Sequence, residues 1–135
     1  MIARAIIACA AVLFAFLADL SAAPARDLGQ WENADPRIKQ WFETLMQPDN
    51  PGVRCCGESD AYYADKVEVV GDKVFAIITD TRPDEPLKRP HVPPGTRIEV
   101  PAHKYKFDRG NPVGHTVIFL SPSLDVYCYV QASGV

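Results

Sequence analysis

Three cysteines, Cys55, Cys56 and Cys128, constrain this chain more than any other residues. A fourth, Cys9, lies inside an apolar N-terminal run and leaves the count if that run is removed. Of the first 25 residues, 21 are hydrophobic. Arg4 supplies a positive charge, and residues 5–18 are uniformly apolar. Asp19 breaks the run, and the small residues Ala23-Pro24-Ala25 follow. Spanning a bilayer takes about 20 apolar residues, so this segment reads as a secretory signal peptide cleaved after Ala25 rather than a retained anchor. The expected product is residues 26–135, a single domain exported to the periplasm of a Gram-negative bacterium.

In an oxidising compartment thiols pair, and three cysteines allow one intramolecular bridge with one left over. The reading preferred from spacing joins Cys128 to either Cys55 or Cys56. The loop closed is over 70 residues, worth about 4 kcal/mol in the chain-entropy account. A vicinal Cys55–Cys56 bridge is the alternative, and reduced thiols or an intermolecular bridge complete the set.

The rest of the chain reads as α+β, one N-terminal helix packed on a small antiparallel sheet or half-open barrel of about five strands. A polar entry segment carries Trp31. Asp35-Pro36 makes an N-cap and first helical position. Ile38, Trp41, Phe42 and Leu45 then follow at helical spacing to an end near Met46. Residues 53–65 read as a loop. Residues 67–70 and 74–78 flank Gly71-Asp72 as a hairpin. Residues 97–100 form a short strand, and residues 116–120 and 125–130 a last hairpin. Between them, residues 81–95 carry five prolines, which exclude a helix or central strand. A loop of that length can present Arg82, Lys88, Arg89 and His91 to a protein or small-molecule partner. Tyr62, Tyr63, Tyr127 and Tyr129 are expected to be exposed and to line a binding face.

Candidate chemistry sits in two places. Arg54-Cys55-Cys56-Gly57-Glu58-Ser59-Asp60 sets thiols beside charges, with Arg54 expected to favour thiolate and the acids to oppose it. Glu58, Asp60 and Asp65 supply carboxylate oxygens. His91, His103 and His115 recur every twelve residues, and a fold that gathers them could hold zinc or copper. A metal ion held by Glu58, Asp60, His91, His103 and His115 is thus one expectation. Arg54, Glu58, Asp60, Tyr62, His91 and His115 are the wider set of ligand-binding candidates. A Cys/His thiol enzyme or redox protein is the remaining one, with no phosphate-loop, nucleophile-elbow or dinucleotide fingerprint present. The net charge of −3 argues against nucleic acid. The leading functional expectation is a non-catalytic binding or accessory protein.

Asp35-Pro36, Trp41-Phe42, Pro48-Asp49, Cys55-Cys56-Gly57-Glu58 with Asp60-Ala61-Tyr62, and Asn111-Pro112 with Gly114-His115 form a recognisable combination. It resembles a group of small, functionally uncharacterised exported proteins of Gram-negative proteobacteria, over residues 27–130. The resemblance implies a periplasmic setting and no particular reaction. It directs attention to Cys55, Cys56, Glu58, Asp60 and His115.

Overall fold

A computed structural model describes residues 34–85 and 87–132. The expected leader at 1–25, Cys9 within it and the entry segment with Trp31 lie outside the described residues. Helix α1 is Pro36–Thr44, and Asp35 caps it by accepting the Arg37 amide at 2.8 Å. It stops two residues before the expected end because Leu45 turns extended. Met46 then bridges Arg54, and the Cys55 amide donates to the Leu45 carbonyl at 2.9 Å.

Among the described residues seven strands follow: β1 Ala61–Tyr63, β2 Lys66–Val70, β3 Lys73–Ile77, β4 Arg97–Glu99, β5 Tyr105–Phe107, β6 Val117–Leu120 and β7 Val126–Gln131. They form a four-stranded sheet in the order β1-β6-β7-β5 and a three-stranded sheet in the order β2-β3-β4. The fold is α+β with a helix on a sheet, as the patterning indicates. Its sheets hold seven strands rather than about five, and they form no closed barrel. β5 runs parallel to β7, so the larger sheet is mixed rather than antiparallel.

The four-stranded sheet is the middle layer. Successive residues of a strand face opposite sides, and here the two sides go to different neighbours. Ala61, Val117, Phe119, Cys128 and Val130 pack with Trp41, Phe42 and Leu45 of the helical layer. Tyr62, Ile118, Leu120 and Tyr129 pack with Ala76, Ile78, Ile98 and Val100 of the smaller sheet's layer. The chain thus builds two apolar seams, one on each face. Tyr62 and Tyr129 belong to the second and are 2% and 0% exposed, so they line no binding face. Between β6 and β7 the register slips: Phe119 opposes Cys128 while Leu120 opposes Val126. The additional residue, Tyr127, makes a bulge.

Cys55 pairs with Cys128 across 73 residues, with their α-carbons 5.5 Å apart. Both are fully buried in the helical seam. The vicinal bridge is therefore not formed, and Cys56 is the free thiol among the described residues. An intramolecular disulfide is compatible with an oxidising compartment. Among the described residues no helix is long and apolar enough to cross a membrane.

Candidate functional site

The proline-rich segment folds back over the start of β1 and brings charge with it. At its centre is Asp80, whose side chain is 0% exposed. It accepts the Tyr63 amide at 3.1 Å and the Arg82 amide at 2.9 Å. It also accepts Arg82 Nη2 at 2.7 Å and Arg89 Nη1 at 2.8 Å. Burial raises the Asp80 carboxyl, but the arginine and amide hydrogen bonds outweigh it and hold the group well below the usual carboxylate range. Arg89, 2% exposed, donates onward to Asp84 at 2.8 Å and to the Arg82 carbonyl at 3.1 Å. Arg89 is therefore a buried structural cation and is not displayed to a partner as the loop composition suggests.

These groups close the free edge of β1. Ala61 turns its carbonyl outward, and both Arg82 Nη2 and Arg89 Nη1 donate to it, at 3.2 and 2.8 Å. The Tyr63 amide goes to Asp80, and the Tyr63 carbonyl accepts the Thr79 amide at 2.9 Å. Edge strands recruit other strands unless their polar groups are occupied. Here guanidinium and carboxylate groups occupy them.

Three of the proposed ligand residues, Glu58, Tyr62 and His91, join this clamp, and a fourth, His115, reaches it through the Tyr63 ring. Glu58 accepts Arg82 Nη1 at 3.3 Å; burial pushes its carboxyl up, and Arg82 and Arg89 oppose the shift. Tyr62 lies under Arg89, with 4.6 Å from guanidinium carbon to ring centre, and its hydroxyl donates to the Pro90 carbonyl. The Tyr63 ring takes the Arg82 guanidinium at 3.8 Å and the His115 imidazole at 4.1 Å. His91 Nδ1 contacts Asp84 at 2.6 Å, and His115 Nδ1 contacts Asp65 at 2.9 Å. The His91 bond, with that from Arg89, holds Asp84 below its ordinary value.

Asp60 directly precedes β1, near Tyr62 and Cys56, whereas Arg54 and His103 lie elsewhere. Arg54 is exposed beside Met46, on the loop that follows the helix. His103 approaches Asp49 at 3.9 Å, which Lys104 binds at 2.7 Å. Each histidine thus has its own carboxylate, and among the described residues no group of three or more His, Cys, Asp or Glu side chains is placed to hold a metal. The shared site of Glu58, Asp60, His91, His103 and His115 is not assembled. Cys56 sits at φ +82, half-buried, and burial followed by the charge of Asp60 pushes its thiol up. The opposition expected of the acids comes from Asp60, burial exceeds it, and the lowering expected from Arg54 is not among the causes.

A shallow groove of about 440 Å³ lies between α1 and the loop at 110–112. Arg37, Gln40, Trp41, Thr44, Gly110 and Pro112 line it, and none of the sequence candidates does. Asp80 and Asp84 carry no sequence signal of their own, since each is an ordinary acid in a polar loop until Arg89 is buried beside it.

No family model, curated protein or solved structure matches the chain. The site's chemistry follows from its geometry.

That geometry makes the charged face a clamp. The opposite situation holds at β2, which among the described residues pairs with β3 alone and is exposed along its whole length. Val67, Val69 and Val70 are 45%, 67% and 55% exposed. Nothing in the sequence distinguishes these valines from ordinary strand residues. Only the sheet order reveals that they stand on an open edge.

Proposed function

We propose that the chain is an exported, non-catalytic binding or accessory domain of the periplasm, and that it engages its partner by strand addition along β2. The observation that carries this reading is the contrast between two edges. β1 is closed by Asp80, Arg82 and Arg89, whereas β2 among the described residues is left open, with three exposed valines. Val67 and Val69 share one face of the strand, and exposed apolar side chains beside an unpaired edge suit an interaction surface; an extended partner adds main-chain hydrogen bonds to such an edge. The histidines bonded to carboxylates and the pushed-up Cys56 thiol support a structural rather than a catalytic role for the polar groups. The disulfide supports export.

A photo-crosslinking side chain at Val70, in cells exporting the protein, tests the reading. It should give one discrete adduct, and the same group at the exposed Ser123, in the turn between β6 and β7, should give none. Val69→Pro should abolish the adduct, because it removes an outward amide while leaving the β3 pairing in place. The reading fails if no adduct forms at Val70. It also fails if the purified, oxidised chain turns over a substrate in a manner that depends on Cys56, His91 or His115.

A further inference from the structure

Resting on that reading of β2, we infer that the strand it receives is β2 of a second copy, in a two-fold antiparallel pair centred on Val67. Val70 and Lys73 flank the two-residue turn Gly71-Asp72, with Gly71 at φ +63. Residues flanking such a turn exchange their amide hydrogen bonds, and pairs alternate from there. Val70, Glu68 and Lys66 therefore direct their backbone groups at β3. Val67 and Val69 direct theirs at the open edge.

The side chains then select the register. Lys66, Glu68 and Val70 share one face of the strand, and Val67 and Val69 share the other. Centring the pair on Val67 lets the two copies of Val67 exchange their outward amide bonds. It sets Lys66 opposite Glu68 of the second copy, and Glu68 opposite Lys66 of the second copy. These are the pairs without mutual backbone bonds, where facing α-carbons approach to about 4.5 Å and side chains interact most closely. Glu68 already bonds Arg97 at 2.8 Å across the intervening Phe75, which Arg97 also covers. The outer face would thus carry an alternating row of Arg97, Glu68 and the second copy's Lys66, repeated across the two-fold axis. On the inner face the two Val67 side chains would meet directly, each with Val69 of the other copy as its diagonal neighbour, while Val69 itself would face Asp65 of the other copy.

A register centred on Val69 lacks this match within the strand, since it sets Glu68 against Val70 and leaves Lys66 only Asp72 of the hairpin turn to face. A lysine and a glutamate two positions apart around a central valine are self-complementary in one antiparallel register, and that favours a second copy over an unrelated strand. The same charges deter indiscriminate edge pairing. The result is a six-stranded sheet in the order β4-β3-β2-β2-β3-β4. The pairing is short, so it falls at the small end of interface sizes and depends on concentration.

Sedimentation equilibrium of the oxidised chain, from micromolar to millimolar, measures the association. The expected result is a monomer–dimer equilibrium. Lys66→Glu and Glu68→Lys should each raise the dimer Kd by about tenfold, because like charges then face each other twice. The double variant Lys66→Glu/Glu68→Lys should recover affinity to within about threefold of the parent on the same pair energies. Both positions are exposed, and circular dichroism checks that each variant is folded. A chain that stays monomeric throughout overturns the inference, as does a dimer indifferent to the single changes. A double variant no better than the singles also overturns it. If the chain is monomeric but Val70 still crosslinks to a different protein, strand addition stands and self-pairing falls. If neither association appears, both fall.

Discussion

Asp80 and Arg89 form a pair that water does not reach, and removing one partner leaves the other charge stranded. Asp80→Asn should therefore cost about 3 kcal/mol at neutral pH, at the lower end for a broken buried pair because Asp84 still binds Arg89. The pH dependence identifies the cause. The folded-state pKa of Asp80 is depressed, so its contribution is complete above the unfolded carboxylate value of about 3.9 and is lost as pH falls towards the folded value. Urea unfolding of parent and variant should show a gap that is constant above about pH 5 and narrows below about pH 4. An unchanged gap in acid would mean that packing, not charge, is lost. Cys56 offers a second test at this scale. Iodoacetamide should label it, and neither Cys55 nor Cys128, without reduction. Labelling at pH 7 should be slower than for an unhindered thiol, because burial and Asp60 favour the protonated form. Labelling of Cys55 or Cys128 in the unreduced protein would contradict the pairing.

At the scale of elements, α1 and the β2–β3 hairpin could be read from the sequence because their signals are local. Asp35-Pro36 with apolar residues at helical spacing suffices for α1, and Gly71-Asp72 between two valine-rich runs suffices for the hairpin. The β6–β7 hairpin is legible for the same reason, although its bulge at Tyr127 is not. β1 and β5 are three residues each and carry no periodicity long enough to see. β1 exists because β6 pairs with one of its edges and the Asp80 clamp closes the other. β5 exists because a parallel partner, β7, is delivered by the rest of the fold. The candidate site was legible in the same uneven way. Glu58, Tyr62 and His91 do join one charged network, with His115 attached through the Tyr63 ring, but the network is built on Asp80, Arg82 and Asp84, whose partners lie up to 24 residues away in sequence. Arg82→Ala isolates the element-level role of that clamp. It opens one of the two donors to the Ala61 carbonyl and uncovers Tyr63 while leaving the Arg89 pair intact. Amide exchange in residues 61–64 should accelerate, with little change in β2 or β3. Uniform acceleration across both sheets would show that the clamp supports the whole domain rather than one edge.

At the scale of the molecule, the three layers are not equally secured. The middle sheet and the smaller sheet share a broad seam drawn from strands of both, whereas the helical layer meets the middle sheet mainly through Trp41, Phe42 and Leu45. The Cys55–Cys128 bridge crosses that second interface, joining the segment after α1 to β7. Its effect should therefore have two parts. Closing a 73-residue loop removes unfolded-state freedom worth about 4 kcal/mol in the chain-entropy account. Tethering Cys55 beside Phe42 and Phe119 also keeps the helix seated, since a nine-residue helix is too short to be stable alone. A Cys55→Ala/Cys128→Ala variant should lose about 15–25 °C in Tm, on the scaling for a domain near 100 residues. Cys56→Ser should lose little by comparison. Below the transition the two parts separate. If the bridge acts only on the unfolded chain, amide exchange in the double variant rises evenly through all three layers. If it also seats the helix, exchange in residues 36–55 rises first and furthest while β3, β6 and β7 stay protected. The thin helical seam and the position of the bridge favour the second outcome. Even exchange would reduce the disulfide to its loop-closing role.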